Sequence, residues 1–556
     1  MFNILVGGAA GQGIDTATAT LEMLIKKAGY CIFTTRDFMS RVRGGHNFCI
    51  IRFGEEPIYS HSASLDGIIA LDDDTVEIHK NQLKTDGFIL CDSKLKTENE
   101  KAIKLNMTEL AKELGNPKVS GSIAVGAILK LFGIGFDHVE ETLKHLVKEA
   151  YFDVNLNAMK IGYESVETRY KYIEGTYHDD MIITGSKAAG LGALAAGLKF
   201  YSAYPMSPST AVMEFLASKS VEAGVVVEQA EDEIAGINMA IGASFAGARA
   251  MTGTSGGGFC LKVEALGLSG IAEIPLVVID VQRPGPATGL PTRTEQSDLK
   301  FVVSASQGEF PRMVIALRNH TDAFYQTVRA FDLAERYQIP VIILSDQYLG
   351  DSTATVKPYN LDNIHVATPS QDKYNEGEYL RYKITEDGIS PRLIPGKTRN
   401  FVSADSDEHN ERGWIIESSE ERIQMMDKRM RKIDKLMEEL QEPEFIGGES
   451  FETLLVGWGS TYGPIKEAVQ LLNEKEPGKY AALIFGDVFP LPTKLINKMA
   501  PLAKQLINIE QNATGQLAGL IREYTGIVFD HSILKYDGRQ ISGEEIVERI
   551  QKGGLR

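Results

Sequence analysis

The chain reads as an α/β protein of three successive α/β units, and three observations predict it. Apolar or β-branched runs of strand length alternate with longer segments of helical period in three separate stretches. Glycine-rich or proline-flanked turns close the apolar runs, as at residues 7–13 and 204–208. At 556 residues with 43% hydrophobic content, the chain is long enough for three or four domains of ordinary globular composition.

Composition narrows the chemistry. The net charge of -17 and a pI near 5.2 argue against an extended phosphate-binding surface and hence against nucleic acid. Cys31, Cys49, Cys91 and Cys260 are far apart, so no Cys-x-x-Cys ligand pair exists for zinc or an iron-sulfur cluster, and buried free thiols are expected. The histidines show no ligand spacing, so no metal is expected on this chain alone. With neither a basic leader nor a long uncharged apolar run, no membrane association is expected, and a reducing cytoplasm fits best.

The first unit covers residues 1–175. It opens with a strand over 2–6, a Gly-rich turn over 7–13 and a helix over 14–28, an arrangement that aims backbone N–H groups at an anion. The nucleotide fingerprints fail: Ile14-Asp15 stands where a P-loop needs Lys-Ser/Thr, and Gly-x-Gly-x-x-Gly is absent. Further on, Arg41, Arg43, His46 and Asn47 lie on one loop that could grip the phosphates of coenzyme A, or could equally be a domain-interface loop.

A charged, aromatic linker over 166–180 leads to the second unit, residues 180–350, which starts at Ile182-Ile183-Thr184-Gly185 and continues in an Ala/Gly-rich helix over 187–200. Residues 204–299 carry its chemistry. They contain Tyr204-Pro205-Met206-Ser207-Pro208, a strand ending at Glu228, the carboxylates Glu231, Asp232 and Glu233 before an apolar helix, and the loop Thr254-Ser255-Gly256. Acidic residues at a helix N-terminus are favoured by the dipole, so capping accounts for most of that cluster. Gly256 allows close backbone approach. Arg283 and Arg293 each sit in a Pro/Gly/Thr loop, where a guanidinium offers a two-pronged donor to a carboxylate, with Ser207 and Thr292 as hydroxyl partners. Either arginine could instead form an ordinary surface ion pair. Strands over 275–280, 312–316 and 341–345, with a helix over 321–336, complete an open parallel sheet.

Residues 351–447 lose this rhythm. A charged helical stretch over 418–442 has a sparse apolar face of Ile423, Met426, Met430, Ile433 and Leu436, as expected of a solvated helix strapped across a subunit surface. His409, between carboxylates, could serve as acid or base, but nothing in the sequence selects it. The last unit, residues 448–556, returns to strand–helix alternation with strands over 454–461, 481–485 and 505–510.

The motifs Tyr204-Pro205-Met206-Ser207-Pro208, Gln229-Ala230-Glu231-Asp232-Glu233, Asp387-Gly388-Ile389-Ser390-Pro391-Arg392 and Ser40-Arg41-Val42-Arg43-Gly44-Gly45-His46-Asn47 resemble those of the 2-oxoacid:ferredoxin oxidoreductases. The resemblance spans nearly the whole chain and is to an alpha subunit with a gamma domain fused ahead of it. Met206 and Ser207 depart from the family's Tyr-Pro-Ile-Thr-Pro. The resemblance implies a gamma domain over 1–175, a thiamine-diphosphate pyrimidine-binding-like domain over 180–350, an insert over 351–447 and a transketolase C-terminal-like domain over 448–556. It implies oxidative decarboxylation of a 2-oxoacid, with 2-oxoglutarate leading, using CoA and giving acyl-CoA, CO2 and reduced ferredoxin. Glu231 is expected to face the aminopyrimidine N1′, with Glu228 the second choice, while Tyr204, Pro205, Thr254, Ser255 and Gly256 line the cofactor.

The Gly-Asp-Gly motif expected of a chain that holds the diphosphate alone is absent, Gly486-Asp487-Val488 being the nearest approach, and no cluster ligands exist. A separate beta subunit carrying Mg2+, the diphosphate site and an iron-sulfur cluster is therefore expected, in a dimer of alpha-beta heterodimers served by ferredoxin. The rival expectations are a non-catalytic CoA- or nucleotide-binding subunit and an assembly scaffold.

Overall fold

The computed structural model describes residues 1–9, 11–38, 45–362, 364–368, 378–448 and 450–554. Two compact units form, residues 1–184 with 351–358 and residues 185–350 with 359–556. Among the described residues no helix is long and apolar enough to cross a membrane.

The first unit is built on an eight-stranded mixed sheet. Its order is Ala102–Leu105, Leu83–Asp92, Leu65–Ala70, Phe2–Ala9, His46–Gly54, Cys31–Phe38, Thr353–Val356 and Met181–Thr184. Phe2–Ala9 is buried along almost its whole length, as expected of a central strand covered on both faces. It outruns the expected span because Gly7, Gly8 and Ala9 stay in register with Phe48, Asn47 and His46. The Gly turn therefore narrows to Gly11–Gly13, where both glycines have positive φ, and Gly13 begins helix Ile14–Lys27. Met181–Thr184, read from the sequence as the start of the second unit, is an edge strand of this sheet. It pairs antiparallel with Thr353–Val356, a segment that returns from beyond the second unit. Such a pairing, across some 170 positions, leaves no local signature in composition or period.

The second unit holds a seven-stranded sheet in the order Asp487–Phe489, Met313–Ala316, Pro340–Asp346, Leu276–Gln282, Ala250–Thr254, Phe200–Ala203 and Val226–Gln229. All neighbours pair in parallel except Asp487–Phe489, which joins the edge antiparallel. The chain moves outward from Phe200–Ala203 to Val226–Gln229, then reverses to Ala250–Thr254 on the other side. The crevice at the carboxyl ends of Phe200–Ala203 and Ala250–Thr254 is thus the topological switch point, where open parallel sheets bind ligands.

A five-stranded sheet, Glu444–Ile446, Tyr480–Phe485, Thr453–Trp458, Gln505–Glu510 and His531–Leu534, completes this unit. One hydrophobic core runs from Ile237 and Phe259 of the larger sheet's helices to Trp458 and Phe485 of the smaller sheet. Asp487 serves the structure. Its carboxylate receives Arg329 Nη1 at 2.6 Å and Nη2 at 2.8 Å, and the Gln441 N–H at 2.7 Å.

The charged stretch forms helices Ser419–Met430 and Lys432–Glu439, but its inward face differs from the expected one. Ile423 is 61% exposed, whereas Lys428, Arg429 and Lys432 are buried together with Met425 and Leu436. The reason is an acidic counterpart supplied from elsewhere in the chain. Glu273 receives Lys428, and Lys432 at 2.5 Å, while Glu408 receives Arg429 at 2.6 Å.

Candidate functional site

Three loops converge at the switch point. The first, leaving Phe200–Ala203, exposes Tyr204 and half-buries Pro205, Met206 and Ser207. It is braced by the Ser209 hydroxyl donating to the Met206 carbonyl at 2.7 Å. The second leaves Ala250–Thr254, burying Thr254 and Ser255 before helix Gly256–Ile271 begins. The third follows Leu276–Gln282 and carries Arg283, which donates from Nη1 to the Ser207 carbonyl at 2.6 Å. Ser207 thus anchors the arginine through its backbone. Burial lowers the Arg283 pKa, and nearby Asp298 opposes that shift.

The carboxylate cluster sorts by helical geometry. Asp232 caps helix Glu233–Phe245 by accepting the Ala235 N–H at 2.8 Å. Glu228 and Glu231 are exposed, whereas Glu233 is 4% exposed and lies on the buried stripe with Gly236, Ile237, Ala240, Ile241 and Ser244. Glu233 Oε1 has no partner among the described residues. The site is shaped around it: a Cβ added to Gly258 would fall 2.6 Å from Glu233 Oε1 and nearer still to Thr254 Oγ1. Beneath it, the buried Lys262 Nζ donates to the Glu233 carbonyl at 3.1 Å and to Thr252 Oγ1 at 3.0 Å. Burial lowers this amine's pKa to about 8 against the pull of Glu233 and Asp232.

The two arginines separate as well. Arg293 donates to the neighbouring Thr292 carbonyl at 3.2 Å and packs against the turn at Gly538. The loop bearing both is held by the smaller sheet's domain. Gln296 donates its N–H to the Gln511 carbonyl at 2.7 Å and its Nε2 to the Trp458 carbonyl at 2.8 Å, and accepts the Gln511 N–H at 3.2 Å. Asn512 Nδ2 donates to the Gln296 carbonyl at 3.1 Å.

Several residues pass unseen in the sequence: Glu233 as the buried carboxylate, Lys262 below it, and Gln296 with Asn512 as the clamp on the arginine loop. For Glu233 a signal existed, since it falls three and four positions before Gly236 and Ile237 of the buried stripe. His409 is buried against the Tyr382 ring at 4.0 Å with Nδ1 3.0 Å from the Asp407 carbonyl, a packing role. In the first unit, His46 Nε2 lies 2.8 Å from His79 Nε2 and Asn47 is buried, while Arg41 and Arg43 lie outside the described residues.

Comparison with known proteins supplies the family. A family model described as pyruvate flavodoxin/ferredoxin oxidoreductase, thiamine diphosphate-binding, matches residues 191–428, and one described as pyruvate ferredoxin/flavodoxin oxidoreductase matches residues 3–165. The 2-oxoacid:ferredoxin oxidoreductase subunit alpha of Sulfolobus sp is 32% identical, covering 99% of this chain and 96% of its own. The 2-oxoglutarate synthase subunit KorA of Archaeoglobus fulgidus is 34% identical over 66% of this chain and 98% of its own. Among solved structures, the 2-oxoglutarate:ferredoxin oxidoreductase of Magnetococcus marinus, with 2-oxoglutarate, coenzyme A and succinyl-CoA bound, superposes with a TM-score of 0.92 at 31% identity and 99% coverage of both chains. With its buried carboxylate and anchored arginine at the switch point of a thiamine diphosphate-binding domain, this chain belongs to the family of 2-oxoacid:ferredoxin oxidoreductase alpha subunits.

Proposed function

We propose that the chain is the fused gamma-alpha subunit of an enzyme that oxidatively decarboxylates 2-oxoglutarate with CoA, releasing acyl-CoA and CO2 and reducing ferredoxin. The observation that carries this reading is the buried Glu233 carboxylate with an unpartnered oxygen, seated where Gly258 lacks a side chain. That geometry fits the aminopyrimidine of thiamine diphosphate, and the role expected of Glu231 passes to Glu233. Glu231 is exposed on this chain and Asp232 is engaged in the cap, which leaves Glu233 as the dry carboxylate able to hold a proton at N1′. When bound, thiamine diphosphate supplies the nucleophilic carbon that attacks the 2-oxo group and the electron sink for loss of CO2.

Thr254, Ser255 and Gly256 after one strand, and Tyr204 and Pro205 after its neighbour, are the residues this reading sets against the cofactor. Arg283, tethered to the Ser207 carbonyl, presents its remaining N–H groups to the substrate carboxylate, and Ser207 and Thr292 are the hydroxyls offered to the same substrate. Arg293 lends its stem to the Gly538 turn. A beta subunit supplies Mg2+, the diphosphate site and the iron-sulfur cluster, in a dimer of alpha-beta heterodimers. Four free cysteines support a reducing cytoplasm.

For CoA the first unit has a suitable opening, a cavity of about 770 Å3 whose lining includes Gly11, Gly13, Lys118, Ser122 and Lys148. Two ammonium groups near a helix N-terminus suit a diphosphate. Lys118→Ala combined with Lys148→Ala is expected to raise the KM for CoA roughly tenfold or more without altering that for the oxoacid, as loss of two charge-assisted contacts implies. Equal changes in both constants would remove CoA from this cavity.

The enzyme reading is tested by anaerobic reduction of a viologen dye by the chain assembled with its beta partner, given thiamine diphosphate, Mg2+, CoA and a panel of 2-oxoacids. CoA-dependent reduction with 2-oxoglutarate preferred is expected. Arg283→Ala should raise the KM for that substrate by about 10- to 100-fold, the effect of stranding a carboxylate that had a charged donor. A loaded wild-type complex that reduces no dye with any oxoacid would leave the CoA-binding subunit as the better reading.

A further inference from the structure

Behind Arg283 lies a second group of buried acids that the chemistry above does not use. Asp280 points from strand Leu276–Gln282 at 0% exposure, and neither of its oxygens has a donor among the described residues. Gln282, two positions on and therefore on the same face, accepts the Asp298 N–H at 3.1 Å, which places Asp298 over that strand end. Asp298 Oδ2 is likewise sealed from solvent without a donor. Its carboxylate fills the space left by a missing side chain: a Cβ on Gly256 would lie 2.5 Å from Oδ2 and 2.7 Å from Oδ1. Three carboxylate oxygens without a donor thus gather at one strand end, and neighbouring carboxyls so placed resist being ionised together.

We propose that Asp280 and Asp298 form a proton-sharing carboxyl pair whose charge state sets how strongly Arg283 attracts the carboxylate of the 2-oxoacid. They are then positioning residues for substrate binding. The proposal rests on the assignment of Arg283 above.

The electrostatics agree in direction. Burial raises Asp280 well above the ordinary Asp range, with Asp298 adding to it, and burial raises Asp298 to about 6 against the pull of Arg283. Below that value the pair is neutral and Arg283 keeps its full field. Above it the pair loses one proton, and a negative charge beside Arg283 opposes the incoming anion. The other titratable groups around the pair are Cys260 on helix Gly256–Ile271, raised by burial and then by Asp298 and Asp280, and Glu295 on the arginine loop. Glu295 is raised to about 7 by burial, then by Asp298 and Asp537. Glu233 is reached through Thr254, the register partner of Asp280.

The test uses the assembled complex with 2-oxoglutarate. From about pH 5.5 to about pH 8 the KM of the wild type should rise roughly three- to tenfold, the size of one added unit charge beside a partly exposed arginine. In Asp298→Asn, a neutral isostere, KM should stay near its low-pH value throughout, which also separates this pair from Glu295. Infrared spectra of the wild type near pH 8 should contain a protonated-carboxyl carbonyl band, from the proton the pair retains, that is absent from Asp280→Asn. A flat wild-type KM, an Asp298→Asn profile that rises like the wild type, or a band untouched by Asp280→Asn each overturns the pair. Arg283→Lys keeps the two readings apart: if it leaves KM unchanged, the assignment of Arg283 fails, whereas a raised KM with a wild-type profile in Asp298→Asn sinks only the carboxyl pair. Should Asp298→Asn fail to assemble, the wild-type KM profile and the Asp280→Asn spectrum decide.

Discussion

Glu233→Ala is expected to lower turnover of the assembled enzyme by roughly 100-fold to 10,000-fold, the range for removing a positioned proton-transfer group. Glu231→Ala should change it by no more than about twofold, as for an exposed carboxylate away from special features. The contrast follows from the helix: with Asp232 as its cap, the buried stripe takes Glu233 inward and leaves Glu231 in solvent. Thiamine content, measured by the fluorescence of its oxidised product, should fall far less than turnover, because the substitution removes a single carboxylate. Gly258→Ala offers an independent check, since its Cβ would press on Glu233 Oε1 and Thr254 Oγ1 without altering any charge. Normal turnover in Glu233→Ala alongside an inactive Glu231→Ala would return the role to the exposed residue.

Glu273→Ala is expected to destabilise the chain by about 3–5 kcal/mol, the effect of stripping a buried ion cluster of its counter-charge. Glu273 is 1% exposed, directly after helix Gly256–Ile271, and faces Lys428 and Lys432, while Arg381 donates to its carbonyl at 2.7 Å. Those cations also complement the helix's C-terminal dipole. Burial pushes the Glu273 carboxyl up, but Lys428, Lys432 and Arg381 together pull it well below the ordinary Glu range. A carboxyl depressed on folding adds stability that is present above its unfolded pKa and is lost as pH falls toward the depressed value. Thermal unfolding of wild type and Glu273→Ala should therefore differ most near neutral pH and converge in acid. Replacing Glu273, Lys428 and Lys432 together by Leu, Met and Met should recover much of the loss, because no buried charge is then left unmatched. A single variant as stable as the wild type would show that water already serves the cluster.

Much of the fold was legible because it is local. Alternating strand and helix periods located four of the seven strands of the larger sheet, Val226–Gln229, Leu276–Gln282, Met313–Ala316 and Pro340–Asp346, to within a few residues, whereas Phe200–Ala203, Ala250–Thr254 and Asp487–Phe489 fell in stretches read as helix end, loop and turn. The burial of Glu233 was legible in principle from its phase on the following helix, whereas the sequence reading chose Glu231 by resemblance and Glu228 by its place at the strand end. The charged helix was misjudged for a different reason. Its sparse apolar face is real in sequence, yet Lys428 and Lys432 turn inward because Glu273, 155 positions away from Lys428, waits there.

By itself the sequence determined the α/β class, the family and the polar loops between strands and helices, since each depends on residue type and on spacing within one turn, strand or helix. Only the tertiary structure decided which carboxylate is dry, which arginine is tethered to Ser207, and that Gln511 and Asn512 grip the arginine loop through Gln296. It also decided that Met181–Thr184 belongs to the first sheet. These outcomes depend on burial and on partners 76 to 216 positions apart, and desolvation is a property of the packed molecule that no local pattern encodes.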